Sequence, residues 1–289
     1  MIYSFLYVIV FSVAAVMIQK MYFSVSPFFS LLITATIATL YFNLVNIGKL
    51  KMMYNACWKE KWLWLSIMLT VLVMWNCSMI GPGLIGASLY NFLYFAWLGM
   101  LGFVFLSLQD FNKNRIKLYL GVCVLVLLAV IIVIEFHHGF SRNVLMGILL
   151  AFIGGTSAFV YFKQSQAILK KVKLSATQIL GVRFYLTVIV LFVMLPKGSF
   201  DLYFTVKNSL ELGLLAFLSL IIPLYFQQKA LEKISSEQNA IIMSLCPVSI
   251  AFLQELIFKD VTLSYIFIYL SYTSIVVISY FLSKRQIRD

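Results

Sequence analysis

Apolar stretches long enough to cross a lipid bilayer recur from one end of this chain to the other, separated only by short polar breaks. A helix needs about 20 mainly apolar residues to traverse the ~30 Å hydrocarbon core. Because lipid offers the backbone no hydrogen-bond partner, each crossing has to satisfy its own N–H and C=O groups. Helices therefore follow from the composition: 63% of the residues are hydrophobic and 11% charged, against about 25% charged in soluble domains. No break is long enough to fold by itself. The expectation is an all-α integral membrane protein, a single membrane domain over residues 1–289 with no room for a soluble catalytic module.

Ten spans are predicted, at about 3–19, 28–47, 62–79, 84–106, 116–134, 144–164, 174–195, 209–231, 239–257 and 263–282. The tightest break is Gly81-Pro82-Gly83, where proline fixes its own φ and glycine permits a sharp reversal, so the third and fourth spans are expected to form a hairpin turning there. The first span lacks a basic leader and a small-residue cleavage site before Lys20, which reads as a retained helix rather than a signal peptide. Ten spans place both termini on one side. That side collects sixteen of the 22 basic residues, while the other holds Lys20, Arg142, Lys197, Lys207 and Lys259, with Arg183 left inside a span. Cytoplasmic loops retain positive charge, so a multi-pass protein of the cell (inner) membrane with both termini cytoplasmic is expected.

The same bias accounts for the net charge of +12 without a nucleic-acid role, because the basic residues sit in short loops beside spans, where they orient the chain and meet anionic headgroups. Cys57, Cys77, Cys123 and Cys246 are scattered, without C-x-x-C spacing, and are expected to be free thiols. An intramembrane enzyme would need paired catalytic groups or a metal cluster. His137-His138 falls in a predicted outer loop, no two membrane-depth carboxylates approach in register, and no phosphate-binding G-x-x-x-x-G-K-[ST] run is present. No catalytic residue, cofactor or metal is expected.

A weak internal repeat runs through the chain. Ser26-Pro27-Phe28 entering the second span has a counterpart in Ser175-Ala176-Thr177 entering the seventh, and Ala87-Ser88-Leu89 in the fourth in Ala240-Ile241-Ile242 in the ninth. The halves are roughly 1–137 and 138–289, five helices each, and an odd number turns the second copy over in the membrane. Two inverted five-helix repeats can exchange conformations and open a central site to each face in turn, which points to transport.

The segment from Gln228 to Ala240, followed by Met243-Ser244-Leu245-Cys246-Pro247-Val248, resembles the second-half signature of the EamA branch of the drug/metabolite transporter superfamily, an "ALxxxS…A…S-x-x-P-V" run. Its closing "L-x-G-E" element corresponds to Ile257-Phe258-Lys259-Asp260, which lacks the glycine and carries aspartate. The first half has Tyr94 where the second has Pro247, and Thr34 where the second has Arg183. The resemblance implies ten spans and a central cavity lined by the first, third, fourth, sixth, eighth and ninth helices, the fifth and tenth being peripheral. Its members move metabolites, amino acids, drugs, nucleotide-linked compounds or quaternary amines.

Few positions carry chemistry. Arg183 lies well inside the seventh span, where an unpaired charge costs ~2.5–3.5 kcal/mol on insertion scales. It is the foremost candidate for substrate binding, the alternative being a structural arginine that ties helix ends or snorkels. Trp75 and Asn76 in the third span, Tyr90, Asn91 and Tyr94 in the fourth, Tyr161 in the sixth and Tyr225, Gln227 and Gln228 in the eighth form a candidate polar-aromatic wall, suited to a zwitterion or a cation. Belts of interfacial aromatics and interhelical hydrogen bonds are the plainer readings of the same residues. Pro223 and Pro247 remove backbone donors inside the eighth and ninth spans and are candidate hinges, and Glu255 is a candidate coupling carboxylate. The function expected is a secondary transporter moving a small polar metabolite, an amino acid or related carboxylate-bearing solute, by alternating access. Quaternary-amine or broad drug transport is the alternative, and a non-transport membrane protein a further one. Expected partners are the small-molecule substrate and the lipid bilayer, with no nucleic acid, the chain being a monomer or homodimer.

Overall fold

The computed structural model describes residues 1–21, 25–109, 111–135, 141–196, 205–258, 270, 272–275 and 277. All regular structure among them is helical: α1 (Ile2–Met21), α2 (Pro27–Val45), α3 (Leu50–Lys59), α4 (Lys61–Ile85), α5 (Ala87–Gln109), α6 (Phe111–Glu135), α7 (Arg142–Val172), α8 (Ala176–Val182) and α9 (Tyr185–Met194), then helices Val206–Leu215, Ile222–Leu231, Ser236–Met243 and Cys246–Phe258. Seven of the resulting segments are long and apolar enough to cross a membrane, with shorter apolar helices at Ile2–Val16 and Tyr119–Ile132. These nine coincide with the first nine predicted spans. The tenth, 263–282, lies largely outside the described residues.

The hairpin of the third and fourth spans does not turn where proline and glycine cluster. Helix α4 runs through Gly81-Pro82-Gly83 to Ile85, and the reversal is made by Gly86, whose φ of 84° is costly for any residue with a β-carbon. Gly86 N–H closes the helix end on the carbonyl of Pro82 at 2.9 Å. Gly81 is glycine for another reason. A β-carbon there would lie 2.0 Å from Cε2 of Tyr90, so the ring packs directly on the α4 backbone and joins the two arms of the hairpin.

The break after the second span, expected to be loop, contains a 3₁₀ turn at Ile47–Lys49 and the amphipathic helix α3. Met53 and Cys57, one turn apart, are buried beneath it, while Met52 and Trp58 face outward. Burial pushes the Cys57 thiol up to about 12. All four cysteines are free, three of them buried and Cys123 exposed.

Pairing between helices sets up the centre of the bundle. α4 lies along α7, α1 along Ile222–Leu231, α2 along α8 and α9, and α5 against Ser236–Met243. Gly83 has nothing within 4 Å of a β-carbon position, so Gly83→Ala is expected to hold or raise the melting temperature, helix propensity favouring alanine by up to ~1 kcal/mol. Gly86→Ala is expected to lower stability by about 1–2 kcal/mol through its positive φ. Thermal unfolding of the two variants in detergent checks where the chain turns.

Candidate functional site

A cavity of about 410 Å³ lies between the helices, lined by Tyr7, Phe11 and Ala15 of α1, Met74, Trp75, Ser78, Met79, Pro82 and Gly83 of α4, Ala87, Asn91, Tyr94 and Phe95 of α5, Ser219, Leu224 and Gln227 of the eighth span, and Met243 of the ninth. Four candidate residues, Trp75, Asn91, Tyr94 and Gln227, therefore meet on one surface. The cavity runs from mid-bundle to the α4–α5 turn. Most of its wall is aromatic or aliphatic, and two buried polar atoms on it, Trp75 Nε1 and Gln227 Oε1, have no partner among the described residues. Gln227 Nε2 is held by Met243 Sδ at 3.6 Å, which turns the amide oxygen toward other acceptance.

The seventh span, expected to be continuous, breaks at Arg183–Phe184. The cause is a pair of side chains from other helices. Asn43 Nδ2 donates to the carbonyl of Gly181 at 2.8 Å and Trp64 Nε1 to that of Val182 at 3.0 Å, the two acceptors that residues 185 and 186 would use in an unbroken helix. Asn43 in turn accepts from the Tyr54 hydroxyl at 2.8 Å and donates to Tyr185 Oη at 3.0 Å, and the two tyrosine hydroxyls touch each other. Helix α3 thus locks the break from outside the membrane-spanning bundle.

Arg183, at the break, is 0% exposed. Its Nη1 donates to Tyr161 Oη at 2.5 Å, and Tyr161 donates to Gln228 Oε1 at 2.9 Å. The guanidinium carbon sits 5.1 Å from the Tyr161 ring centroid and 4.5 Å from that of Phe184, two cation–π contacts. Phe184 stands 6.3 Å from Trp75. Arg183, Tyr161 and Gln228 therefore form a second cluster one side chain behind the cavity wall.

The other candidates fall elsewhere. Asn76 donates to Leu72 O of its own helix at 2.8 Å. Tyr90 is packed on Gly81 with its ring 6.1 Å from that of Tyr94, and Tyr225 packs against Phe226. No α7 residue is among those lining the cavity, although the sixth helix was expected there. Pro223 follows a π-helical stretch at Ala216–Ile221, and Pro247 follows a break at Ser244-Leu245, so both helices are interrupted beside their proline. The side chain of Glu255, like His137-His138, lies outside the described residues. Asn43 and Trp64 escaped notice in the sequence because Asn43 is a lone amide and Trp64 reads as an interfacial aromatic. Glu211 also escaped notice. It lines a small crevice of about 40 Å³ with Ser30 and Thr34, which shares Trp75, Met79 and Ser219 with the cavity.

The end of the bundle bearing the N-terminus is sealed. Ser4 donates to Asn239 Oδ1 at 2.9 Å; Gln166 Nε2 donates to the Leu231 and Ile234 carbonyls at 3.2 and 2.5 Å, and its Oε1 accepts from Ser236 N at 3.1 Å. Lys163 is paired with buried Glu237.

Residues 145–283 match the model of the EamA-like transporter family, part of the drug/metabolite transporter superfamily. A solved structure, described only as a crystal structure of protein, superimposes with a TM-score of 0.73 at 13% identity, over 99% of this chain and 97% of that one, so the fold is shared along the full length. No curated protein sequence matches. The apolar helices and the family together make this a multi-pass membrane protein of the transporter type. Asn43→Ala removes the donor to Gly181 and the acceptor for Tyr54, and is expected to cost about 1–3 kcal/mol. Asn43→Asp, which keeps the acceptor and loses the donor, should also destabilise. Thermal unfolding in detergent checks both.

Proposed function

We propose that this chain, whose residues 145–283 belong to the EamA-like transporter family, is a secondary transporter that moves a small polar metabolite, an amino acid or related carboxylate-bearing solute, across the cell membrane by alternating access. The observation that carries this reading is the cavity of about 410 Å³ at the centre of the bundle, large enough for a small solute and walled by helices from both halves. Aromatic and aliphatic faces receive the apolar part of the solute, and Gln227 and Trp75 each offer it a hydrogen-bonding atom. Arg183 tilts the class toward carboxylates. The aromatic rings of Phe11, Trp75, Tyr94 and Phe95 favour the second reading, a quaternary amine held on ring faces.

Helix pairing supports two inverted repeats. If spans one to five map onto six to ten, the pairs first–eighth and third–sixth exchange with each other, whereas second–seventh and fourth–ninth map onto themselves. These are the four pairings described above. Ser26 and Ser175, matched in the sequence repeat, both occupy the N-cap of their helix. A cavity reaching the α4–α5 turn, opposite a hydrogen-bonded terminal end, fits one half of an alternating cycle. With the basic loops placing both termini in the cytoplasm, this conformation faces outward.

Counterflow of radiolabelled amino acids, small carboxylates and quaternary amines into liposomes tests the reading. Trp75→Ala and Gln227→Ala are each expected to slow exchange of the preferred solute about tenfold, equivalent to ~1.4 kcal/mol, while Asn76→Ala, satisfied within its own helix, changes it little. Saturable exchange of none of these solutes by the intact protein would count against transport of this class.

A further inference from the structure

Arg183 is a permanent charge with no carboxylate partner among the described residues. Among the described carboxylates, Glu60 pairs with Lys171, Glu232 with Lys229 and Glu237 with Lys163, and Glu211 lines the crevice between α2 and the eighth span. None reaches Arg183. One edge of its guanidinium is occupied by Tyr161, and the direction of that hydrogen-bond chain is fixed. The Tyr161 hydroxyl accepts from Nη1, so it donates its single proton to Gln228, and the Gln228 amide must present its oxygen to Tyr161 and its NH₂ elsewhere. Three nitrogens are then left buried without a partner among the described residues: Arg183 Nε, Arg183 Nη2 and Gln228 Nε2. All three are donors. Nε and Nη2 together form the side-on fork of a guanidinium, whose two parallel N–H groups match the two oxygens of a carboxylate.

We infer that Arg183 is the anion-binding residue of the transport site, taking one carboxylate side-on through Nε and Nη2, with Gln228 Nε2 as a third donor and Tyr161 as the residue that positions both. This rests on the transport reading and adds to it the charge and geometry of the recognised group. One guanidinium with a neutral amide neutralises one negative charge, so the match is a monocarboxylate rather than a dianion. Arg183 is fully buried and absent from the cavity wall. The carboxylate therefore meets the fork in a conformation in which the Trp75–Phe184 contact has parted, or in which the sealed terminal end has opened. Binding of the charged group is thereby tied to the conformational change, because the ligand's affinity differs between the two states. At the break at Arg183–Phe184 the backbone is held by the side chains of Asn43 and Trp64 instead of by helical pairing, so those two hydrogen bonds are the ones such a change has to accommodate.

The test is thermal unfolding of the purified full chain in detergent against a panel of amino acids and small monocarboxylates, each compared with its own neutral amide. The expected result is a concentration-dependent rise of several degrees for at least one carboxylate and none for its amide, as required of a ligand that prefers the native state. Arg183→Gln should lose the rise. Gln228→Glu, which places an internal carboxylate at the end of the same hydrogen-bond chain, should melt higher than wild type without ligand and no longer respond to carboxylates, a readout independent of solute identity. The inference falls if acid and amide shift the wild type alike, if no carboxylate shifts it, if Arg183→Gln responds as wild type does, or if Gln228→Glu melts lower. Counterflow of a solute lacking a carboxylate, alongside negative results here, would leave the transport reading standing without this site. Carboxylate-dependent shifts without counterflow would do the reverse.

Discussion

Inside a bilayer a backbone carbonyl that leaves its helix has no water to turn to, and at Gly181 and Val182 that need is met by Asn43 and Trp64. Much of the site depends on this exchange of partners. It allows the seventh span to stop at Val182 and resume at Tyr185, and it leaves Arg183 at the junction, turned in among Tyr161, Phe184 and Gln228 rather than on a continuous helical face. Helix α3 belongs to the same device, since Tyr54 fixes the Asn43 amide from the membrane surface. A short amphipathic helix between the second and third spans is thus mechanically linked to a charge in the middle of the bundle.

The cavity and the arginine cluster differ in what they present. The cavity offers shape and apolar surface with a few polar atoms, whereas the cluster behind its wall offers a fixed charge and unpaired donors. Between them Trp75 and Phe184 meet through their rings at 6.3 Å, a contact that parts without breaking a hydrogen bond among the described residues. On the opposite side the seal is polar: Ser4 to Asn239, Gln166 to two carbonyls and one N–H, Lys163 to Glu237.

Some of this was legible in the chain. Arg183 stands out because a charge in an apolar run is expensive, and Pro223 and Pro247 because proline removes a helical donor; the interruptions beside both prolines follow from that local chemistry. Trp75, Asn91, Tyr94 and Gln227 were also found among the candidates, as polar or amphipathic groups at membrane depth. Asn76 shows the limit. Its amide looks as significant as that of Asn91, yet it spends its donor on Leu72 of its own helix, and sequence cannot tell an amide that turns inward along its helix from one that faces a cavity. The turn at Gly86 instead of Gly81-Pro82-Gly83 is similar. Local backbone preferences favoured the proline, but packing of Tyr90 against Gly81 requires α4 to continue.

What the sequence by itself determined is the class of structure and its rough partition, because length and apolarity leave a membrane chain only helices, and nine of the ten expected spans coincide with apolar helices among the described residues. What only the tertiary structure decided is where those helices break and what the polar side chains face. The partners responsible lie far apart in the chain, Asn43 being 138 residues from Gly181 and Trp64 118 from Val182. Nothing in the run from Gly181 to Tyr185 announces an interruption. The hydrogen bonds that create it exist only once the second, third and seventh spans have packed together.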